Sequence, residues 1–282
     1  MKLAELRHIF EQELRLIYDV DEVRQHFALL SETYFGYSPA EVILNLQEPV
    51  SVSDELRFKN DLAQLKKNVP IQYIVGKVAF AGLQLHVNPS VLIPRPETEE
   101  LVHWMLTAIT TTKSIQVLDI GTGSGCIALA LKKARPNWRI SAWDIDTDAL
   151  RVAQQNAKDN ALTIDFHGLD VLSGNLPEKK WDIIVSNPPY VPAALKKTTQ
   201  PHVLAHEPQH AIFVPDKTPL YFYEQITEYA IQQLKLSGNL FFEGHAPLME
   251  SVKILLQQAG FSDIVLRNDF RTNPRFIRAT KQ

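Results

Sequence analysis

The strongest constraint on the fold is a regular alternation of strand-like and helix-like segments from residue 114 onward. Short apolar or β-branched runs predict strands, and the segments between them have helical spacing. The predicted strands are 114–120, 139–144, 163–167, 181–186, 239–243, 264–267 and 275–279. The predicted helices are 127–133, 149–156, 220–236 and about 247–259. This alternation is typical of an α/β fold, here with a mostly parallel sheet of seven strands covered by helices on both faces.

Residues 1–70 have a different pattern, which predicts a small helical bundle. Apolar residues recur at steps of three and four along the first helix, at Leu3, Leu6, Ile9, Phe10, Leu14 and Ile17. Ser38 before Pro39 predicts the start of a third helix, and Ser53 predicts the start of a fourth. We interpret this domain as a module that docks a partner protein, with a purely structural role as the alternative.

Residues 71–92 are β-rich and predict a hairpin that links the two domains. Its two strands are expected at Ile71–Gly76 and Leu83–Val87. The second domain, residues 93–282, opens with Arg95 held between two prolines, where its guanidinium is placed to meet an anionic group. Thr98 is expected to begin the helix that follows.

Bulk properties exclude several classes of protein. The net charge of -3 and the single cysteine, Cys126, indicate neither a strongly basic nucleic-acid binder nor an intrachain disulfide framework. The charged N-terminus does not resemble a signal peptide, and no apolar stretch approaches the roughly 20 residues that span a bilayer. We therefore expect a cytoplasmic protein with no membrane partner.

A glycine-rich run lies between the first strand and first helix of the alternating region, where such a loop can bind a nucleotide-like ligand. The run consists of Asp119, Ile120, Gly121, Thr122, Gly123, Ser124 and Gly125. Asp144 ends the next strand, about 20 residues further on, where a carboxylate can hold ribose hydroxyls. Asp170, followed by Val171, comes after the third strand and is placed to meet an adenine amino group. The G-x-G-x-G spacing favours an adenosyl ligand without a pyrophosphate.

The fourth strand, 181–186, ends in Asn187, Pro188, Pro189 and Tyr190. The prolines donate no backbone hydrogen bond and fix their φ angles, so they form a stiff loop that holds an Asn carboxamide and a Tyr ring. In an open α/β sheet, the carboxyl ends of the strands form the ligand-binding edge. The alternative is an ordinary proline turn.

The order of these motifs resembles class I S-adenosylmethionine-dependent methyltransferases that act on planar nitrogens. The segment Ile93-Pro94-Arg95-Pro96-Glu97-Thr98-Glu99 and the helical bundle narrow the resemblance to the peptide chain release factor N5-glutamine methyltransferase family (HemK/PrmC). Glu207-Pro208 also matches. Residues 213–219 and Glu243-Gly244-His245 depart from the family pattern, which leaves details of the substrate-facing loop open.

The resemblance implies a Rossmann-like fold and S-adenosylmethionine as donor, with S-adenosylhomocysteine as product. The implied substrate is the glutamine of the Gly-Gly-Gln motif in class I release factors, whose methylation modulates translation termination. The expected cofactor-binding residues are Arg95, Asp119, Gly121, Thr122, Gly123, Ser124, Gly125, Asp144, Asp170, Val171 and Asn187. The expected catalytic residues are Asn187, Pro188, Pro189 and Tyr190.

Several alternatives remain at this point. An Asn-Pro-Pro-Tyr loop also suits an adenine-N6 methyltransferase acting on DNA or RNA, although the acidic charge balance argues against a DNA partner. Other possibilities are a ribosomal-protein glutamine methyltransferase, a non-catalytic adaptor and a nicotinamide oxidoreductase. His202, His206 and His210 recur at four-residue steps, but Pro208 interrupts any helix that would group them, so no metal site is expected.

Overall fold

The computed structural model describes residues 1–174 and 176–282, which divide into two compact units. The helical unit comprises residues 1–76 together with 200–206. The sheet unit comprises residues 77–199 and 207–282. Each unit has its own apolar core, so each is described separately below.

The helical unit is built around a cluster of aromatic rings. Its α-helices are α1 (Leu3–Leu14), α2 (Val20–Phe35), α3 (Pro39–Leu44), α4 (Val52–Leu65), α5 (Ile71–Val75) and, from later in the chain, α9 (Pro201–His206). Phe58 of α4 is fully buried, and its ring centroid lies 5.8 Å from that of Phe10 and 5.4 Å from that of Phe27. Such ring pairs add to the free energy gained from burial, so Phe58 joins α4 to α1 and α2.

Serine side chains begin two of these helices. The predicted start of α3 is confirmed, because the Glu41 amide donates to Ser38 Oγ at 3.4 Å and the Ser38 amide donates to Glu41 Oε2 at 2.8 Å. The predicted start of α4 at Ser53 is wrong. The N-cap is Ser51, whose Oγ accepts from the Asp54 amide at 3.1 Å, and Ser53 is already the second residue of the helix.

The predicted strand at Ile71–Gly76 is also wrong, because this segment forms α5. Gly76 adopts a φ of 73° and its amide donates to the Gln72 carbonyl at 2.8 Å, which is a helix end that glycine favours. The hairpin is instead formed by β1 (Lys77–Phe80) and β2 (Leu83–His86). Ala81 and Gly82 between them both have positive φ angles, as a tight two-residue hairpin turn requires.

The sheet unit contains the predicted seven-stranded, mostly parallel sheet. Its strands are β3 (Gln116–Ile120), β4 (Arg139–Asp144), β5 (Asp165–Gly168), β6 (Trp181–Ser186), β9 (Leu234–Glu243), β10 (Phe261–Asn268) and β11 (Pro274–Lys281), and two-residue β7 (Val191–Pro192) and β8 (Phe213–Val214) pair separately. The spatial order is β10-β11-β9-β6-β3-β4-β5, and β11 alone runs in the direction opposite to the other six strands. The chain order reverses between β3 and β6, the position where open α/β sheets bind ligands.

Helices cover both faces of this sheet. They are α6 (Pro96–Ala108), α7 (Cys126–Ala134), α8 (Thr147–Asp159), α10 (Tyr221–Gln233) and α11 (Met249–Gln258). Val117 of β3 packs in one apolar cluster and Leu118 in the other, because successive side chains of a strand point to opposite faces. The predicted helix 220–236 is too long, since Leu234 already pairs with Trp181 as the first residue of β9. Within the described residues, no helix is long and apolar enough to cross a bilayer.

We predict that Phe58→Ala destabilises the helical unit by about 3–5 kcal/mol, because it removes a fully buried ring from the aromatic cluster. Hydrogen exchange followed by mass spectrometry should show faster exchange in α1, α2 and α4. Leu56→Ala is the matched control, since this residue of the same helix is 61% exposed. Equal effects of the two substitutions would contradict the proposed role of Phe58 in the core.

Candidate active site at the carboxyl ends of the parallel strands

A cavity of about 320 Å³ lies where the loops after the parallel strands meet. Its size falls within the range of small-molecule sites. The segments that line it after β3, β4, β5 and β6 are Gly121–Ser124, Asp144–Asp146, Leu169–Leu172 and Asn187–Pro189. The cavity therefore brings together the glycine-rich loop and the proline loop, which the sequence places more than sixty residues apart.

The three glycines of the loop after β3 have positive φ angles but different surroundings. A Cβ on Gly121 or Gly123 would have nothing within 4 Å, so the backbone here is open for close approach by a ligand. A Cβ on Gly125 would lie 3.2 Å from the Ala153 Cβ and from Leu129 Cδ1. Gly121 and Gly123 thus face open space, whereas Gly125 allows the start of α7 to pack against α8.

Asp144 at the end of β4 holds the glycine loop from the neighbouring strand. Its Oδ2 accepts from the Gly123 amide at 2.8 Å, and its Oδ1 accepts from the Asp146 amide at 3.0 Å. Burial raises the pKa of Asp144 above its ordinary value. A carboxylate has about four acceptor positions, so two remain for hydroxyl donors in the cavity.

Asp119, which was expected to bind the cofactor, lies beneath the glycine loop instead. This carboxyl is fully buried and does not line the cavity. Its Oδ2 accepts from Thr122 Oγ1 at 2.7 Å, and burial raises its pKa to about 7. Asp119 therefore supports the glycine loop from beneath, while Thr122 contributes to the cavity wall.

Asp170 and Val171, after β5, both line the cavity. The Leu172 amide donates to Asp170 Oδ1 at 2.8 Å, and the Ser173 amide donates to the Asp170 carbonyl at 3.0 Å. These bonds form a compact turn that fixes the Asp170 side chain. Asp170 Oδ2 is not used in this turn, so the residue keeps an acceptor for a ligand.

The loop after β6 is anchored at both ends. Ser186 Oγ donates to the Ile120 carbonyl at 2.7 Å, which ties the end of β6 to β3. Asn187 Nδ2 donates to Thr98 Oγ1 at 3.4 Å, and Asn187, Pro188 and Pro189 line the cavity. Tyr190 lies outside the cavity lining; its hydroxyl donates to Glu243 Oε1 at 3.5 Å. Burial, followed by the nearby Glu243, raises the pKa of Tyr190.

The group that supports this loop is not identified by the sequence motifs. Thr98 does not begin α6, which starts at Pro96; its buried hydroxyl instead donates to Glu243 Oε2 at 2.8 Å. Glu243 ends β9 and is 1% exposed, and burial raises its pKa to about 7. A usable signal was present, because Glu243 is a carboxylate at the carboxyl end of a strand predicted to lie in the same parallel sheet.

Arg95 has a partner within the protein. Its Nη2 lies 2.5 Å from Glu207 Oε1, and Glu207 Oε2 accepts from the Ile93 amide at 3.3 Å. The Glu207 side chain is buried, whereas the Arg95 side chain is 35% exposed. Arg95 also lines the cavity, and its contact with a cofactor stays a prediction.

The remaining candidate residues have local roles. His206 Nε2 lies 3.0 Å from the Lys67 carbonyl, and His210 Nε2 lies 3.4 Å from Asp146 Oδ2. Among the described residues, no three metal-binding side chains form a group. Burial raises the pKa of Cys126 to about 12, which favours a packing role over a reactive thiolate.

Comparison with known proteins covers nearly the whole chain. Residues 99–210 match the Methyltransferase small domain, and residues 5–76 match the PrmC N-terminal domain. The release factor glutamine methyltransferase of Flavobacterium psychrophilum is 39% identical over 281 residues, which are 99% of this chain and 99% of that protein. The protein of the same name from Bacteroides thetaiotaomicron is 35% identical over 96% of this chain and 97% of its own.

Solved structures share the fold at lower sequence identity. A methyltransferase from Pyrococcus furiosus has a TM-score of 0.54 and 19% identity, covering 79% of this chain and 98% of its own. The Thermus thermophilus 16S rRNA N2 G1207 methyltransferase, solved with AdoMet and guanosine, has a TM-score of 0.53 and 18% identity over 73% of this chain and 50% of its own. Together with the domain match, these structures confirm the class I methyltransferase fold.

The buried Asp119 should make stability depend on pH. Its pKa is about 7 in the folded protein against an ordinary value of 3.8, so between these pH values the folded state holds a proton that the unfolded state has lost. The contribution of Asp119 to the free energy of unfolding therefore decreases as pH rises through this window. Asp119→Asn removes that contribution. As pH rises, the free energy of unfolding of this variant should therefore decrease less than that of the wild type.

Denaturant unfolding at several pH values measures this difference. Asp263→Asn, which changes an exposed aspartate, is the matched control and should follow the wild-type profile. An Asp119→Asn profile that is parallel to the wild type between pH 4 and 7 would show that the Asp119 carboxyl does not titrate in this range.

Proposed function

Because the chain belongs to the release factor glutamine methyltransferase family, we propose that it methylates the side-chain nitrogen (N5) of the glutamine in the Gly-Gly-Gln motif of class I release factors. The proposed methyl donor is S-adenosylmethionine. The observation that carries this proposal is that Asn187 and Pro188 line the same cavity as Gly121 and Gly123. A donor and an amide substrate can therefore meet within it.

The cavity fits an adenosyl cofactor in three respects. Gly121 and Gly123 leave space where side chains would otherwise intrude. Asp144 keeps two acceptor positions for the ribose hydroxyls, and Asp170 keeps one for the adenine amino group. When bound, S-adenosylmethionine supplies an electrophilic methyl group on a sulfonium.

The proline loop suits the nucleophile. An amide nitrogen attacks poorly because its lone pair is delocalised, and positive charge grows on its NH₂ group as a bond to the methyl forms. Acceptors placed at that NH₂ stabilise this charge, and the Asn187 Oδ1 and the Pro188 carbonyl are the two acceptors that we assign. The rigid loop also aligns the nitrogen for in-line displacement.

Tyr190 has a different proposed role. Its ring packs against the planar amide, and its π-face tolerates the nearby cation. Tyr190 does not line the cavity, so this contact requires the ring to become accessible when the substrate binds.

We also propose that the helical unit docks the release factor. Several large apolar side chains of this unit are strongly exposed and are available to contact a partner protein. They include Leu16, Ile43, Leu44, Val52 and Leu56, with exposures of 61% to 90%. A cytoplasmic location is part of this proposal.

Two alternative methyltransferase functions remain. Adenine-N6 methylation of nucleic acid requires a basic groove, and the net charge of -3 does not favour one. Glutamine methylation of a ribosomal protein uses the same loop chemistry. The match of residues 5–76 to the PrmC N-terminal domain favours release factors over both.

Methyl transfer from labelled S-adenosylmethionine separates these functions. The purified protein is offered a class I release factor, a mixture of ribosomal proteins, and duplex DNA in separate reactions, and mass spectrometry locates the label. We expect label on the Gly-Gly-Gln glutamine of the release factor. Label only on adenine or only on a ribosomal protein would contradict the proposal.

Asn187→Ala should reduce kcat by about 100-fold or more, because it removes an acceptor needed as charge develops. Cofactor affinity measured by calorimetry should stay within about tenfold, which is about 1.4 kcal/mol. Asn187→Asp should also lower mainly kcat, since its charge changes the interaction with the sulfonium and the substrate. Asn137→Ala, outside the cavity lining, is the control. Normal turnover by Asn187→Ala would remove this side chain from the mechanism.

A further inference from the structure

A chain of hydrogen bonds behind the catalytic loop links three elements. Glu243 at the end of β9 accepts from Thr98 of α6 at 2.8 Å, and Thr98 Oγ1 accepts from Asn187 Nδ2 at 3.4 Å. The second carboxylate oxygen of Glu243 accepts from the Tyr190 hydroxyl at 3.5 Å. Thr98 and Glu243 are 2% and 1% exposed, so water does not compete for these groups. Glu243 thus contacts Tyr190 directly and Asn187 through Thr98.

With Glu243 ionised, the donors and acceptors in this chain have one consistent arrangement. The Thr98 hydroxyl has a single proton, and the ionised carboxylate of Glu243 can only accept, so that proton points to Glu243. The hydroxyl oxygen is then left with lone pairs, which require a donor from Asn187. The two ends of an Asn carboxamide are nearly identical in shape, and the hydrogen-bond network decides which end points where.

The orientation of this carboxamide matters for the proposed chemistry. With Nδ2 directed at Thr98, Oδ1 is the end left for the substrate amide. A carboxamide turned by 180° would present NH₂ protons to the substrate NH₂ and could accept nothing from it. Both orientations fill the same space, so packing alone cannot select between them.

We propose that Thr98 and Glu243 are positioning residues that hold the Asn187 carboxamide with its oxygen toward the substrate. This inference rests on the proposed function, because it explains how an acceptor is presented to a glutamine NH₂. Neither residue takes part in bond formation, and each acts through Asn187.

Neighbouring residues hold Glu243, and with it the chain of hydrogen bonds, in place. The Tyr223 hydroxyl donates to the Glu243 carbonyl at 3.1 Å, and Arg275 Nη1 donates to the Gly244 carbonyl at 2.9 Å. A Cβ on Gly244 would lie 2.5 Å from Met249 Sδ and from the Tyr223 hydroxyl, so a larger residue after Glu243 would have to displace these side chains. This packing accounts for Gly244 at a position where the sequence departs from its family pattern.

Thr98→Val tests the proposal because valine keeps the shape of threonine and removes the hydroxyl. We expect kcat for the release factor to fall about 10- to 100-fold, by analogy with the loss of groups that orient metal ligands in metalloenzymes. Affinity for S-adenosylhomocysteine, measured by calorimetry, should change less than about threefold, because the substitution leaves the glycine loop untouched. Its effect is confined to the orientation of Asn187. Thr98→Ser restores the hydroxyl and should recover most of the activity.

Thr227→Val is the matched control. Thr227 is another buried threonine, 2% exposed, and its hydroxyl has no hydrogen-bond partner within the described residues. The same chemical change there should leave kcat at the wild-type value. A purely structural effect of losing a buried hydroxyl would instead lower the activity of both valine variants.

Nuclear magnetic resonance provides a readout that does not need turnover. The Asn187 side-chain NH₂ resonances should shift in Thr98→Val, and two sets of signals are expected if both orientations become populated. Unchanged Asn187 signals, a kcat within about twofold of wild type, or an equal loss in Thr98→Ser would each overturn the positioning role. If the wild type transfers no methyl to a release factor, the proposed function fails, and the resonance comparison still decides the orientation of Asn187.

Discussion

The parallel pairing of β4, β3 and β6 is the constraint on which the site depends. Ile120 of β3 pairs with Trp143 on one side and with Ser186 on the other. Because parallel strands end at the same edge, this register places the residues after Ile120, Trp143 and Ser186 around one space. Those residues are the glycine loop, Asp144 and Asn187. A shift by one residue in either ladder would turn the strand's side chains to the other face and move the loop away from the cavity.

The same pairing explains why a carboxylate is buried beneath the proline loop, Asn187–Tyr190. Ser186 pairs with Phe242 of β9, so the next residue along each strand, Asn187 and Glu243, come to the same edge. Burial raises the pKa of Glu243 to about 7, which shows that its charged form is costly. Hydrogen bonds from Thr98 and Tyr190 offset part of this cost, and they also connect the carboxylate to both ends of the loop.

Local sequence patterns predict correctly those secondary-structure elements that residues close together in the chain determine. β4 and β6 have the predicted boundaries because each is a short run whose residues are mostly buried in the sheet. The segment Ile71–Gly76 was predicted wrongly because β-branched residues favour strands locally, whereas Gly76 ends a helix there. The role of Thr98 was missed because its partner Glu243 lies 145 residues away, and spacing along the chain carries no information on such a contact. Asp119 belongs to the predicted motif, yet it supports the loop from below.

The central claim is that one cavity brings an amide substrate, through the Asn187 carboxamide, to a methyl donor held by the glycine loop. A crystal structure with S-adenosylhomocysteine and a class I release factor tests it most directly. We predict that the homocysteine sulfur lies beside Gly121 and Gly123, and that the glutamine Nε2 lies about 3 Å from Asn187 Oδ1. A glutamine that enters elsewhere, or a cofactor bound away from the glycine loop, would contradict the account.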